Sequence, residues 1–271
     1  MRSWAGILAA VVALALMALV ASAHRREDLS GARDWAVWLQ APDLGQLAAE
    51  GPDVVVIDTS RDGSLSGELS AEEIAALRAT GRTVLAYLSI GEAEDYRFYW
   101  RDAWDEAPPR FLAAENPDWA GNYKVRYWER AWRRQALRPY LDRIVDAGFD
   151  GVYLDLVDAY WWWHAEEGED ARVAANRMVD LVRWTARYGR RTAGREFLVV
   201  PQNGLGLLDD ASPRRARRYL STIDAVGVES LLTNAWSEED RAYRAERIRQ
   251  VNRAGLRAFG VINPAIFLAT A

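Results

Sequence analysis

The sequence predicts an α/β protein built as a (β/α)8 TIM barrel that lacks or truncates its last βα unit. Short apolar runs alternate with helical patterns along the chain, and such alternation is typical of a parallel sheet. Most of the apolar runs are nearly continuous, as in strands that are buried on both faces. Polar residues follow these runs, where a barrel places its site. No glycine-rich phosphate motif follows any run, which argues against a doubly wound dinucleotide-binding sheet.

Seven strands are predicted, one fewer than a complete barrel needs, so either the barrel is incomplete, or its C-terminus is truncated, or a first strand has no recognisable pattern. After the seventh only residues 264–271 remain, too few for a further helix and strand. The predicted strands are residues 35–39, 54–58, 83–90, 151–156, 197–201, 225–229 and 256–262.

Four helices have recognisable ends. One begins at Ser70, with Glu73 at the capping-box position, and another begins at Ser237. The helices are predicted to stop at glycines, which adopt the left-handed conformation that ends a helix. These glycines are Gly81, Gly148, Gly189 and Gly255.

Composition excludes several classes of function. The chain has 271 residues, no cysteine, two histidines and a net charge of −5. Disulfides, thiolate catalysis and histidine-rich metal sites are therefore excluded. The acidic balance gives no surface for a polyanion, so nucleic acid is not an expected partner.

The N-terminus predicts a signal peptide over residues 1–23. Arg2 precedes an uncharged apolar run, and Ala21-Ser22-Ala23 forms an A-x-A cleavage pattern. Residues 24–271 are then a single secreted or periplasmic domain. The alternative is an uncleaved anchor, because the run is nearly long enough to span a bilayer, and only then is a membrane a partner.

Acids and amides follow the predicted strands, where a barrel would gather them in one pocket. Two carboxylates across a sugar ring can hydrolyse a glycosidic bond, and crowded carboxylates raise one another's pKa. The sequence therefore predicts a glycoside hydrolase that needs no cofactor. The strand-end residues are Asp58, Tyr87, Ser89, Glu92, Glu94, Asp155, Asp158, Gln202, Asn203 and Glu229.

Tryptophan is concentrated in one part of the chain. Eight of the 13 tryptophans fall between positions 100 and 163, and aromatic faces suit the apolar faces of sugar rings. Residues 95–132 are interpreted as a binding lid, because so long a connection between strands is usually functional. Trp128 and the run Trp161, Trp162 and Trp163 are predicted to contribute sugar platforms.

Structural interpretations of these residues remain open. Asp58 and Asp158 could cap helices, Glu92 and Glu94 could form surface ion pairs, and Asn203 with Gly204 could be a turn. Carboxylates could also bind Ca²⁺ or Mg²⁺, but no calcium-loop spacing is present, so no metal is predicted.

Several motifs resemble a known family in matching order. They include "VVVIDTSRDGS", "VLAYLSIGEAEDYRFYW", "GFDGVYLDLVDAY", "PQNG" and "VGVES". Between positions 35 and 229 the chain is similar to bacterial extracellular TIM-barrel proteins related to endo-α-1,4-polygalactosaminidase, glycoside hydrolase family 114. The resemblance implies hydrolysis of an α-1,4-linked galactosamine polysaccharide. The alternative is a non-catalytic carbohydrate-binding protein on the same fold.

The resemblance also implies roles for individual residues. Asp155 matches the nucleophile, by analogy with retaining α-glycosidases, and Glu229 matches the general acid/base. Lys124 departs from the pattern, because an aromatic residue is expected there. The residues implied to line the substrate subsites are Asp58, Tyr87, Glu92, Trp128, Tyr153, Asp158 and Asn203.

Overall fold

The computed structural model describes Leu29, residues 31–229 and residues 237–261. Ten strands lie within these ranges. Their order is β1 (Trp35–Trp38), β2 (Val54–Ile57), β3 (Thr83–Ser89), β4 (Glu92–Glu94), β5 (Leu112–Glu115), β6 (Asn122–Val125), β7 (Gly151–Asp155), β8 (Leu198–Pro201), β9 (Ala225–Glu229) and β10 (Arg257–Val261).

The seven predicted strands are all present, as β1, β2, β3, β7, β8, β9 and β10. Five of them form one parallel sheet in the order β1-β2-β3-β7-β8, and β9 pairs in parallel with β10. A parallel bridge from Gln202 to Gly227 connects β8 to β9, and the Asp224 N–H before β9 donates to the Val199 carbonyl oxygen in β8 at 2.9 Å. Trp35 Nε1 in β1 donates to the Gly260 carbonyl oxygen in β10 at 2.9 Å. The predicted loss of an eighth unit concerns residues 262–271, outside the described ranges, and stays a prediction.

Continuous apolar strands follow from burial on both faces. In β2, Val54 and Val56 point to an inner cluster that includes Tyr153, while Val55 and Ile57 pack under the helices. Gly227 in β9 is required by the inner cluster, because a Cβ there would lie 2.4 Å from the Tyr153 hydroxyl.

The helices within the described ranges are numbered in chain order. They are α1 (Leu44–Glu50), α2 (Ala71–Arg78), α3 (Ala103–Glu106), α4 (Arg130–Trp132), α5 (Arg138–Asp146), α6 (Ala159–Ala165), α7 (Ala171–Ala193), α8 (Leu207–Asp210), α9 (Pro213–Thr222) and α10 (Glu238–Arg253). A π-helical turn, Arg133–Leu137, joins α4 to α5.

The predicted helix ends are confirmed except for one. Both hydrogen bonds of the capping box between Ser70 and Glu73 are present in α2. The prediction that Gly189 ends α7 is wrong, because the helix runs on to Gly194, whose φ is 59°. Gly189 serves packing instead, since a Cβ there would lie 2.4 Å from Phe197 Cε1.

A small antiparallel sheet in the order β4-β6-β5 was not predicted. Strands β5 and β6 lie in the 95–132 connection, which the sequence predicted as a lid. Trp104, Phe111 and Trp132 of this connection are buried, with ring centroids 5.3 and 5.5 Å apart along that series. Much of its aromatic content therefore packs into the core.

Candidate active site

Asp155 is the last residue of β7, and its carboxylate accepts two hydrogen bonds. The Tyr87 hydroxyl donates to Oδ2 at 2.7 Å, and the Leu156 N–H donates to Oδ1 at 2.7 Å. Leu156 has a φ of 57°, a left-handed conformation that costs about 1 kcal/mol or more in a non-glycine residue. The strained backbone after β7 therefore turns an N–H group toward Asp155.

The electrostatic surroundings of Asp155 are unusual. Burial raises the pKa of Asp155 to about 7. The negative charges of Asp158 and Glu229 act in the same direction, and the hydrogen bonds from Tyr87 and Leu156 oppose them. Burial and the Asp155 charge also raise the pKa of Tyr87, so its hydroxyl remains a proton donor.

Glu229 ends β9 and is held by Asn203. The Asn203 side chain donates from Nδ2 to Glu229 Oε2 at 3.1 Å and accepts at Oδ1 from the Glu229 N–H at 3.1 Å. Asn203 has a φ of 56° and Gly204 a φ of 68°. The segment is therefore a turn, as the structural interpretation allowed, and it also positions Glu229.

Asp158 joins this group at the start of α6. Its side chain makes no capping hydrogen bond, so the cap interpretation is not supported by the geometry. The Asp158 side chain reaches the solvent of a cleft. The protein groups around it nevertheless displace enough water to raise its pKa, and the charge of Glu229 adds to the shift.

A cleft of about 750 Å³ lies beside these acids. Asp158 and Asn203 line it directly and connect it to Asp155 and Glu229, which are not on its wall. Helix α6 supplies aromatic residues, and α10 supplies residues that the strand-end pattern did not indicate. The α10 residues are Asp240, Tyr243 and Arg244.

The three consecutive tryptophans of α6 have three different positions. Trp163 is buried and donates from Nε1 to the Val125 carbonyl oxygen at 3.0 Å. Trp162 lines the cleft, and Trp161, 52% exposed, lines it as well. Successive helical residues point about 100° apart, so one indole packs inward while two remain on the cleft.

Lys124 also lines the cleft. Its ammonium pairs with Glu92, which is 1% exposed, and lies 5.5 Å from the centre of the Trp162 ring. Asn116 Nδ2 donates to the same Glu92 oxygen at 3.0 Å. Glu92 is therefore a buried partner of Lys124, not a surface ion pair and not a direct wall of the cleft.

Asp58 is not among the residues that line the cleft, and it binds Arg97. Arg97 donates to both Asp58 oxygens, at 2.7 and 2.6 Å, and its Nε donates to Glu94 Oε2 at 2.7 Å. All three side chains are buried. Asp58 was predicted as a substrate contact, and Glu94 was considered for a surface pair. The structure corrects both, because each carboxylate is buried in an ion pair with Arg97.

Tyr153 and Trp128 were also predicted to contact substrate. Tyr153 is 0% exposed, and its hydroxyl has no hydrogen-bond partner within the part of the chain that the structure describes. Trp128 packs at 5.0 Å against Trp163, with Arg177 over its ring at 4.5 Å. Neither residue is among those that line the cleft.

Among the described residues, no three His, Cys, Asp or Glu side chains are grouped as metal ligands. No described helix is long and apolar enough to cross a membrane. The predicted signal peptide, residues 1–23, lies outside the described ranges.

A family model, glycoside-hydrolase family GH114, matches residues 18–261. An uncharacterised protein of Methanocaldococcus jannaschii is 38% identical over 219 residues, which are 81% of this chain and 62% of the relative. An uncharacterised protein of Thermotoga maritima is 39% identical over 225 residues, covering 82% of this chain and 68% of the relative. The chain thus spans about two thirds of the length of these relatives.

Two solved structures share the fold. Aspergillus fumigatus Ega3, solved in complex with galactosamine, has a TM-score of 0.62 and 19% identity, covering 86% of this chain and 77% of that protein. The glycoside hydrolase domain of PelA from Pseudomonas aeruginosa has a TM-score of 0.61 and 20% identity, covering 84% and 83%. The parallel α/β architecture is therefore that of TIM-barrel glycoside hydrolases.

Proposed function

Because this chain belongs to glycoside-hydrolase family GH114, we propose that it hydrolyses an α-1,4-linked galactosamine-type polysaccharide with the carboxylates of Asp155 and Glu229. One observation carries the proposal. The ends of β7 and β9 bring the two carboxylates close enough for the charge of Glu229 to raise the pKa of Asp155, beside a cleft of about 750 Å³. Paired carboxylates are what glycoside hydrolysis requires.

Asp155 is the nucleophile in this proposal, and Glu229 is the general acid/base. The Asp155 carboxylate is the acceptor in both of its hydrogen bonds. The two bonds therefore favour the ionised form of Asp155 and fix its orientation. Glu229 is held through both its backbone and its carboxylate by Asn203. No described residue hydrogen-bonds to Glu229 Oε1, which is the oxygen we assign to proton transfer to the leaving oxygen.

The cleft suits a polymer that carries amino groups. Among the described residues that line it, the acidic side chains outnumber the cationic ones, which are Lys124 and Arg244. An amino sugar with a free amine is a cation at neutral pH, and a cleft of opposite charge attracts it. The structurally similar Ega3 was solved with galactosamine, which supports this class of sugar. The acids are Asp158, Glu166, Asp210 and Asp240.

We also propose that the protein is exported through residues 1–23. The positive start, apolar run and A-x-A pattern support this. Expression of the full chain with fractionation, and N-terminal sequencing of the exported form, would test it. A product that begins at His24 is expected, and an uncleaved product retained in the membrane would overturn cleavage.

The enzymatic test uses partially deacetylated poly-α-1,4-galactosamine, with released oligosaccharides read by mass spectrometry. The wild-type protein is expected to release products, whereas Asp155→Asn and Glu229→Gln each lose activity by at least about a thousandfold, the scale on which catalytic groups act. Asp118→Asn, at an exposed acid, is the control. Unchanged melting temperatures would show that the variants fold.

Two results would contradict the proposal. Normal turnover in either site variant would overturn the assignment of that carboxylate. Binding of the polymer by the wild-type protein without product release would favour the alternative, a carbohydrate-binding protein on this fold.

A further inference from the structure

Glu92 and Trp162 together have the chemistry of an ammonium-binding site. Glu92 is almost wholly buried, and the Trp162 ring lies on the cleft wall. A carboxylate beside an indole face attracts a cation by charge and by the quadrupole of the ring. An amino sugar entering this part of the cleft with a free amine would find both groups suited to its charge.

In this chain the protein itself supplies that cation. Lys124 Nζ is bonded to Glu92 Oε1 and lies 5.5 Å from the Trp162 ring centre, with its side chain 12% exposed. Lys124 and Glu92 are directly opposite each other in the antiparallel pairing of β4 and β6. Opposite residues of such a pair project on the same face of the sheet, so the backbone holds the ammonium in place.

Movement of Lys124 out of the way is disfavoured. Without it, the neutral bond from Asn116, at 3.0 Å, would be the one hydrogen bond to the Glu92 carboxylate from any described side chain, and Glu92 would remain as a buried unpaired charge. Removing one partner of a buried ion pair is strongly destabilising, because the other charge is left uncompensated. A substrate amine would have to supply that energy, and it would also meet the Lys124 charge while Lys124 remains.

We propose that Lys124 converts this part of the cleft into a subsite for an N-acetylated sugar, so that the substrate is a partially acetylated galactosamine polymer. The inference rests on the proposed function. An acetamido group carries no charge, and its carbonyl oxygen can accept a hydrogen bond from Nζ. A sugar carboxylate suits the subsite less, because Glu92 already neutralises Lys124. The acids elsewhere in the cleft, Asp158 among them, remain available to sugars with free amines.

The test compares kcat/KM on α-1,4-galactosamine oligomers of equal length that are either partially acetylated or fully deacetylated. The wild-type enzyme is expected to prefer the partially acetylated oligomer by about tenfold or more, because a free amine in the subsite would lie beside the like charge of Lys124. Lys124→Met exposes Glu92 to the substrate amine and should shift the ratio at least about tenfold toward the deacetylated oligomer. Lys124→Arg keeps the charge and should keep the wild-type ratio.

A double variant keeps the proposal testable if Lys124→Met does not fold. Lys124→Met with Glu92→Gln leaves no buried unpaired charge, and it is expected to remove the preference for acetylation without favouring free amines. A ratio that stays at the wild-type value in Lys124→Met or in the double variant would overturn the subsite while leaving the proposed function intact. If the wild-type enzyme cleaves neither oligomer, the proposed function fails, and the subsite with it.

Discussion

At the scale of single residues, the ionisation of Asp155 controls the proposed chemistry. Its pKa is raised to about 7 by burial, so the carboxyl group is protonated below that pH and ionised above it. A nucleophile must be ionised, and we therefore predict that kcat/KM rises as the pH increases through about 7. The pH profile of oligomer cleavage measures this. Activity that falls through the same range would instead make Asp155 the general acid and reverse the two roles.

Tyr87 sets where that transition falls. Its hydroxyl donates to Asp155 Oδ2 at 2.7 Å, and this bond lowers the pKa of Asp155 against the effect of burial. In Tyr87→Phe we expect the acid limb of the pH profile to move to higher pH, with a lower kcat and little change in melting temperature. Tyr123→Phe, in β6, is a matched control. If the acid limb of the pH profile does not move in Tyr87→Phe, the role of Tyr87 is packing only.

Single residues also show where prediction from the sequence stops. Asp155 and Glu229 could be located because each ends a parallel strand, and such ends lie on one side of a sheet. The burial of Asp58 could not be predicted, because its partner Arg97 lies 39 residues away in a segment whose sequence resembles a polar loop. The positions of Trp161, Trp162 and Trp163 likewise depend on the phase of a helix that the sequence alone left undefined.

At the scale of elements, burial determined what could be predicted. Strands covered on both faces give continuous apolar runs, and all seven were located to within one or two residues. Strands β4, β5 and β6 are three or four residues long and pair only with each other. Their sequences alternate weakly, so they read as a loop. Lys124 could not be placed opposite Glu92 without knowing their pairing.

The sequence wrongly predicted that Gly189 ends α7, and the packing role that the structure gives this glycine can be tested. In Gly189→Ala the helix would gain up to about 1 kcal/mol of intrinsic stability, but the new Cβ would lie 2.4 Å from Phe197 Cε1. Overpacking of this kind typically costs about 1–3 kcal/mol. We therefore expect a lower melting temperature by thermal denaturation.

The control for this prediction is Gly45→Ala in α1. Its new Cβ would meet only the Asp43 side chain, at 3.3 Å, on an exposed part of the helix. That variant should be neutral or stabilising. A stabilised Gly189→Ala would show that α7 and Phe197 can separate without cost, and that the glycine is not a packing requirement.

At the scale of the whole molecule, the described strands are linked by contacts of different kinds. Backbone ladders join the five strands from β1 to β8 and the two strands β9 and β10. The bridge between Gln202 and Gly227 connects these two sets, as does the hydrogen bond from the Asp224 N–H to the Val199 carbonyl oxygen. The link from β10 to β1 includes an indole, because Trp35 Nε1 donates to the Gly260 carbonyl oxygen. The site residue Glu229 ends β9, so its position depends on how firmly the β9–β10 pair is attached.

Substitution of Trp35 can test how firmly the β9–β10 pair is attached to β1. Trp35→Phe keeps an aromatic ring near Phe259, which lies 5.1 Å away by ring centroids, but removes the donor to Gly260. The loss of one hydrogen bond should lower the free energy of unfolding by about 0.5–1.5 kcal/mol. Because the bond links strands distant in sequence, amide hydrogen exchange should also accelerate in β9 and β10.

Trp38→Phe is the matched control for Trp35→Phe, since Trp38 Nε1 donates at the same 2.9 Å but to the Gln40 carbonyl oxygen, two residues along the chain. Equal exchange in β9 and β10 for the two variants would mean that the indole does not hold the strands together.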